Sequence, residues 1–301
     1  MNIISELLSF LRYQKQRFKK TQRYLLTRRV IKFLQQMDAP VPLNLKERKR
    51  TVKFLRRHLI EVFNDFFIAR YLWRHVKVAF DKNNGLHYVR TAEGRRLYFK
   101  RGMTEKEVRH MYNGLCIEQD RLSPHNYCFD DLSVDSNSVF ADIGAAEGNF
   151  SLKFIDKIKK VYLFESDSNW IEALEATFHP WKEKTVIVDK YVSSYNDDKC
   201  ASLDTFFQDK EKPNLLKLDV EGAESKVIEG AKQLCEKNVN DLLVCAYHRT
   251  GDEKKLSKQL KEMDYKIKLS PGYMLFLWEH NHSYDLQATF DFRKGLIHAS
   301  R

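Results

Sequence analysis

The stretch Val139-Phe140-Ala141-Asp142-Ile143-Gly144-Ala145-Ala146-Glu147-Gly148-Asn149-Phe150-Ser151 decides how the rest of the chain is read. A run with buried-strand character passes into a turn of small residues, and a helix start follows. Small residues at such a turn let backbone approach a ligand closely, and the amides that open the helix point at it. Working outward, strands expected over residues 138–143, 160–165, 185–192, 214–219 and 241–247 alternate with helices, clearest over 221–237 and 252–263. This alternation predicts a parallel sheet covered on both faces. Residues 265–269 and 273–278 are separated only by Ser270-Pro271-Gly272, so the two segments are expected to form an antiparallel hairpin.

Five parallel strands closed by an antiparallel C-terminal hairpin outline an α/β fold, the Rossmann-like sheet of class I methyltransferases. In open sheets of this kind ligands bind at the C-terminal strand ends. Glu165 ends the second strand 21 residues after Gly144, close to the spacing of about 20 at which an acid receives ribose hydroxyls. Ala146 stands where a dinucleotide fingerprint has its second glycine, which disfavours an oxidoreductase. The fourth strand delivers Asp219, Glu221 and Glu224 to the same edge. The helix dipole accounts for acids at positions 221 and 224, but less well for Asp219 at the strand tip. The fifth strand ends in Ala246-Tyr247-His248-Arg249, which puts His248 beside Asp219 if strands four and five are neighbours. An imidazole next to a carboxylate titrates near neutrality and can take a proton from a hydroxyl.

Upstream of this region the composition changes. The 301 residues carry 52 Lys plus Arg against 41 Asp plus Glu, and 43% are apolar. That composition excludes a mainly disordered chain. Residues 1–60 hold 16 bases against three acids, leaving the remainder with 36 against 38, so the excess basicity is N-terminal. Apolar residues at Ile4, Leu7, Leu11, Leu26, Val30, Phe33 and Met37 have helical spacing, and a second helix is expected over residues 45–80 after Pro40 and Pro42. Three readings of this basic helical pair stand: a solvated outer face, an arm for anionic lipid, or an arm for nucleic acid. A hairpin is expected over 86–91 and 95–100, and Thr104 with Glu107 predicts a capping box. The expected organisation is a basic helical extension (1–80), a connecting hairpin and helix (81–133) and a methyltransferase domain (134–301). The first base follows Glu6 and an apolar stretch, the reverse of a secretory signal. Five cysteines without a CxxC pair predict free thiols. The expected location is the cytoplasm, with peripheral contact at the inner membrane face as the alternative.

Together these segments resemble the FkbM family of S-adenosylmethionine-dependent methyltransferases. The resemblance rests on Lys217-Leu-Asp-Val-Glu-Gly-Ala-Glu224 followed by Val227-Ile-Glu-Gly-Ala231, on Asp142-Ile-Gly-Ala-Ala-Glu-Gly148, and on Ser202-Leu-Asp-Thr205. Glu118-Gln-Asp, Ser123-Pro-His-Asn-Tyr127 and the tail Phe292-Arg-Lys-Gly-Leu-Ile-His298 resemble relatives linked with bacterial cell-surface glycan synthesis. The resemblance implies S-adenosyl-L-methionine as cofactor and O-methylation, often of a sugar hydroxyl. It implies that Asp142, Gly144, Ala145, Glu147 and Gly148 shape the methionine pocket, that Glu165 meets the ribose, that Ser166 also binds the cofactor, and that Asp189 or its neighbours lie near adenine. Asp219, Glu221 and His248 would face the acceptor.

Methyl transfer to an alcohol is an in-line displacement in which positioning dominates and a base such as His248 or Asp219 helps the proton leave. The same acids suit a divalent ion equally well. One rival is a nucleic-acid methyltransferase, which would explain the basic arm; the acids at the site would repel phosphates. The other is a non-catalytic scaffold that works through the arm.

Overall fold

The computed structural model describes residues 3–36, 43–277 and 290–301. Met37, Pro40, Pro42 and Trp278 lie outside the described residues, as do the side chains of Ile4, Leu7 and Leu11. Two units are present: Met1–Ile68 with Gly272–Arg293, and Ala69–Pro271 with Lys294–Arg301.

The larger unit holds a seven-stranded sheet made of β1 (Val139–Ile143), β2 (Lys160–Glu165), β3 (Thr185–Asp189), β4 (Leu215–Leu218), β5 (Asp241–Cys245), β6 (Lys266–Leu269) and β7 (Leu296–Ser300). The spatial order is β6-β7-β5-β4-β1-β2-β3. Strands β1 to β5 are parallel, β7 runs against β5, and β6 runs against β7. Five parallel strands closed by an antiparallel pair is the sheet expected, but the pair is not the hairpin expected. Met274–Leu277 pairs instead with Phe290–Arg293 in a two-stranded sheet of the smaller unit. The strand beside β5 must be covered on both faces, and Leu296, Ile297, His298 and Ala299 are all buried. Lys266–Leu269 alternates exposed and half-buried residues, which suits the edge.

Alternation along the strands builds two cores. Ala141, Ile143, Leu216, Leu218 and Val244 face one side; Phe140, Leu163, Leu215, Leu243 and Cys245 face the other. Asp142 and Lys217 share the second face by the period of two, and the parallel register of β1 and β4 sets them side by side. Strand order reverses at this pair of strands, which makes their C-terminal ends the place for a ligand crevice.

Several elements end earlier than their sequence pattern suggests. The helix expected over 221–237 is two, Glu224–Glu229 and Lys232–Lys237. A Cβ at Gly230 would stand 2.1 Å from the Ser193 carbonyl oxygen, so the chain passes too closely there for any other residue. The Asp204 carboxylate accepts from the amides of Gln233 (3.0 Å) and Leu234 (2.8 Å), so the Leu203-Asp204 segment caps the second of these helices. The strand expected over 185–192 breaks at Lys190, and Tyr191–Val192 pairs with Cys200–Ala201. Val78–Asp81 joins the expected hairpin as a third strand, paired with Leu86–Arg90, which pairs with Arg96–Tyr98. The capping box at Thr104 opens the helix Glu105–Glu118. All five cysteines are free thiols.

In the smaller unit, Ile3–Gln36 is a helix and Leu45–Leu55 a second one, opened by a capping box between Asn44 and Glu47. Leu26, Val30, Leu34, Phe54 and Leu55 form its core with Leu275 and Phe292. The second helix does not run on toward residue 80. The Asn64 carboxamide accepts from the Glu61 amide at 3.0 Å and donates to the Glu61 carbonyl, giving the backbone a local alternative to the helix ladder. Among the described residues no helix is long and apolar enough to cross a membrane.

A close backbone approach joins the turn after β1 to the tip of β4. Gly144 has φ +75°, and a Cβ there would stand 1.9 Å from the Asp219 carbonyl oxygen. Gly144→Ala must therefore strain or part this contact, and a loss of about 1–3 kcal/mol is expected. Urea unfolding measures it; an unchanged midpoint would contradict the close approach.

Candidate active site

The turn after β1 is held from both sides. The amides of Gly144 and Ala145 both donate to the Phe164 carbonyl at 3.0 Å, and the Lys217 ammonium donates to the Gly144 carbonyl at 2.7 Å. Glu165 then organises three more donors: one carboxylate oxygen accepts from the Ala146 amide (2.9 Å), the other from the amides of Ser166 (2.8 Å) and Asp167 (2.9 Å). Gly144, Ala146, Glu165, Trp170, Tyr191 and Asp219 are among the residues that line a cavity of about 430 Å³ here. That volume lies within the range of about 300–1,000 Å³ for small-molecule sites.

The sequence-derived residues divide into those on the cavity wall and those off it. Gly144, Glu165, Ser166, Asp219 and Glu221 line the cavity, whereas Asp142, Ala145, Glu147, Gly148, Asp189 and His248 do not. Asp142, Ala145 and Glu147 are buried. Gly148, at φ +78°, caps the start of Asn149–Phe154. Asp189 is exposed, in register with Glu165, and Lys190 and Tyr191 after it reach the lining instead.

Next to the cavity lies a cluster built from strand ends. Asp219 accepts from the Tyr127 hydroxyl at 2.9 Å, and His248 Nε2 stands 3.4 Å from its other carboxylate oxygen. His248 Nδ1 is 2.9 Å from Glu224, and Nε2 is 3.6 Å from Glu221, whose side chain is 92% exposed. The same Glu224 oxygen accepts from the amides of Val220 (3.1 Å) and Gly222 (3.2 Å), which ties the loop after β4 to the imidazole. Behind it, Tyr127 reaches Cys245 Sγ at 3.1 Å, and His125 Nε2 lies 3.1 Å from the Tyr247 hydroxyl. The ligand atoms of Asp219, Glu224 and His248 lie within 4.8 Å of one another, as do those of His125, Asp219 and Cys245.

Charge is distributed unevenly among these groups. Burial alone would lift the Asp219 carboxyl, but Lys217, the imidazoles and the Tyr127 hydroxyl hold it below its ordinary range. Burial would likewise depress His248, yet its hydrogen bond to Glu224 and the charges of Glu224, Asp219 and Glu221 raise it. His125, with burial as the main cause, is pushed down to about 4 and is neutral at pH 7.

Burial lifts Glu147 to about 7. Burial, aided by the charges of Glu147 and Asp219, lifts Glu118 to about 8. Both start from an ordinary value of 4.5. Between about pH 4.5 and pH 8 the folded chain therefore keeps protons that the unfolded chain has released, and this contribution to stability falls as pH rises through that window. Glu118→Gln should reduce the fall in stability between pH 5 and pH 8 by a few kcal/mol. Urea unfolding at the two pH values tests this; parallel pH dependences in both proteins would contradict it.

Lys217, Tyr127, Glu118 and Glu224 carry more of the site than the sequence reading gave them. All four stand in the segments quoted for the family resemblance, so motif membership was the available signal. Their roles depend on contacts as distant as Tyr127 with Asp219, which spacing does not reveal.

Residues 143–273 match the model of the methyltransferase FkbM domain. Among solved structures the chain is similar to the methyltransferase FkbM from Methylobacillus flagellatus KT, with 18% identity and a TM-score of 0.45 over 56% of this chain. It spans 45% of that protein's length. Similarity extends to a precorrin-6y C5,15-methyltransferase from Geobacter metallireducens (13% identity, TM-score 0.39, 66% of this chain and 90% of that one). It extends also to an rRNA methylase from Streptococcus thermophilus (12% identity, TM-score 0.33, 56% and 89%). No curated protein matches the chain.

Proposed function

We propose, for a chain that carries the methyltransferase domain of the FkbM family, an S-adenosylmethionine-dependent O-methyltransferase whose acceptor is a sugar hydroxyl in a bacterial surface glycan. One observation carries the reading. The Gly144 turn and the Asp219 tip approach through backbone, so two acids of the cluster, Asp219 and Glu221, stand on the cavity wall, with His248 off the wall and 3.4 Å from Asp219.

The residues present fit the cofactor. The Gly144 cradle has no room for a Cβ, and Glu165 is fixed at the cavity wall by three amides with lone pairs left for ribose hydroxyls. Bound S-adenosylmethionine supplies an electrophilic methyl group. This chain's residues supply position and a proton acceptor. With Nδ1–H donating to Glu224, a neutral His248 directs the Nε2 lone pair toward the side of Asp219 and Glu221. Asp219, held ionised, orients an incoming hydroxyl and stabilises the imidazolium that results. The exposed carboxylate of Glu221 at the rim favours a neutral polyol over a phosphate-bearing acceptor.

Asp219→Asn is expected to lower turnover by about 10²-fold or more while leaving the calorimetric affinity for S-adenosylhomocysteine unchanged. Glu165→Ala should instead weaken that affinity. Normal turnover by both variants would sink the site assignment, and absence of binding heat from folded wild type would favour a non-catalytic scaffold. Label from a radioactive methyl donor incubated with cell-envelope extract should appear in a sugar fraction; label in nucleic acid would overturn the acceptor class.

The titration of His248 adds a second check. The neutral form is the base, and the raised value means that kcat/KM climbs with pH through a midpoint above the ordinary 6.5. Glu224→Gln should move the midpoint down. Loss of activity in EDTA with no such movement would point to a divalent ion in place of the imidazole base.

A further inference from the structure

In the smaller unit the helix Ile3–Gln36 has two faces with different fates. Leu26, Val30 and Leu34 recur every fourth residue and are at most 4% exposed, packed in that unit's core. Tyr24, Arg28 and Lys32 recur at the same spacing, offset by two positions, about 200° around the helix. All three are exposed. They border a cleft of about 900 Å³ whose other wall is the end of Leu45–Leu55 and the turn after it.

The lining of this cleft is one-signed. Arg28, Arg29, Lys32, Arg56 and Arg57 contribute to it, with His58, and no carboxylate among the described residues does. The acids nearby are spent on other bases: Glu61 pairs with Arg23, and Asp65 with Arg50. Between the cations lie apolar groups, with Tyr24 53% exposed, Leu25 41% exposed and Leu59 half-buried. Aliphatic and aromatic side chains interleaved with flexible bases are the composition of a surface that lies against lipid headgroups: the bases meet phosphates and the apolar groups reach the acyl boundary.

We infer that this cleft docks the protein onto an anionic phospholipid bilayer. Charge complementarity selects the occupant. An open cleft of this size is too wide to enclose one small phosphate. Nucleic acid would be served by several aromatic stacking platforms, whereas Tyr24 is the one aromatic ring other than His58 in the lining. Docking is peripheral, since no described helix is apolar enough to insert.

The test is co-sedimentation of the full chain with vesicles of phosphatidylcholine alone and of phosphatidylcholine mixed with phosphatidylglycerol. Binding to the mixed vesicles alone, released by salt, is expected. Each base near such a surface strengthens partitioning about five-fold, so Arg28→Ser combined with Arg56→Ser and Arg57→Ser should weaken it about a hundred-fold. Because these side chains are exposed, the variant should keep the wild-type melting temperature and the same heat with S-adenosylhomocysteine; wild-type melting confirms that lost docking is not lost folding. Tyr24→Ser with Leu25→Ser should weaken vesicle binding too, which electrostatics alone would not do. Equal binding to neutral vesicles, an unaffected triple variant, displacement by inorganic phosphate at an ionic strength many-fold below that at which sodium chloride displaces, or tighter binding to RNA than to the mixed vesicles would each overturn the inference.

Discussion

The ion pair between Asp142 and Lys217 is the constraint on which the crevice depends. Both side chains lie in the middle of the sheet, almost wholly buried, with the ammonium 3.0 Å from the carboxylate. Ser151 donates to the second Asp142 oxygen at 2.7 Å. Such a pair adds little net stability compared with apolar residues of the same size, but removing one partner leaves a buried charge at a cost of about 3–5 kcal/mol. Its value here is geometric. The ammonium also holds the Gly144 carbonyl, so the strand that ends in the Gly144 turn and the strand that ends in Asp219 are locked at one relative height. Burial alone would depress Lys217, and the Asp142 and Asp219 charges instead raise it, which keeps the lock charged across the working pH range.

That lock also explains why so many acids coexist nearby. Lys217 faces Asp142, and His248 faces Asp219 and Glu224; Asp219 and Glu224 are held below their ordinary range, whereas burial still lifts Asp142. Glu118 and Glu147 are left to be neutralised by protons, which is why burial lifts them so far. A positively charged ligand entering the crevice would change that balance in favour of ionised acids, so binding and proton release are coupled by the same arrangement.

Much of the sheet was legible because its signals are local. The Gly144 turn, the Glu165 strand end and the Asp219 tip each follow from residues within a few positions, and the parallel register then brings 142 opposite 217 without further information. The closing strands were not legible in the same way. Residues 273–277 are as β-prone as 296–300, and the short Pro271-Gly272 link favours a hairpin; what decides is burial on both faces beside β5, a property of the assembled sheet. The overlong second helix failed for a local reason: the apolar spacing continues past Leu55, but Asn64 captures backbone groups that a helix would need. At the site, His248 beside Asp219 followed from strand adjacency, whereas Tyr127 over Asp219 links positions far apart in sequence and needed the fold.

Strain is concentrated where the two halves of the crevice meet. Of the three non-glycine residues with positive φ among those described, Ala146 (48°) and Glu221 (52°) both line it. A side chain in that conformation costs of order 1–3 kcal/mol and persists only where neighbours over-determine it. For Ala146 the determinant is the Glu165 carboxylate on its amide; for Glu221 it is Glu224, which accepts from the amides on either side at Val220 and Gly222. Each strained residue is thus held by a neighbouring acid, Glu165 on the cavity wall for Ala146 and the buried Glu224 for Glu221. Glu224 in turn holds His248, so the conformation that turns Glu221 outward and the orientation that aims Nε2 share a single carboxylate. A loop free to relax would release both at once, which gives the third acid of the segment a positioning role that its place at the start of a short helix does not require.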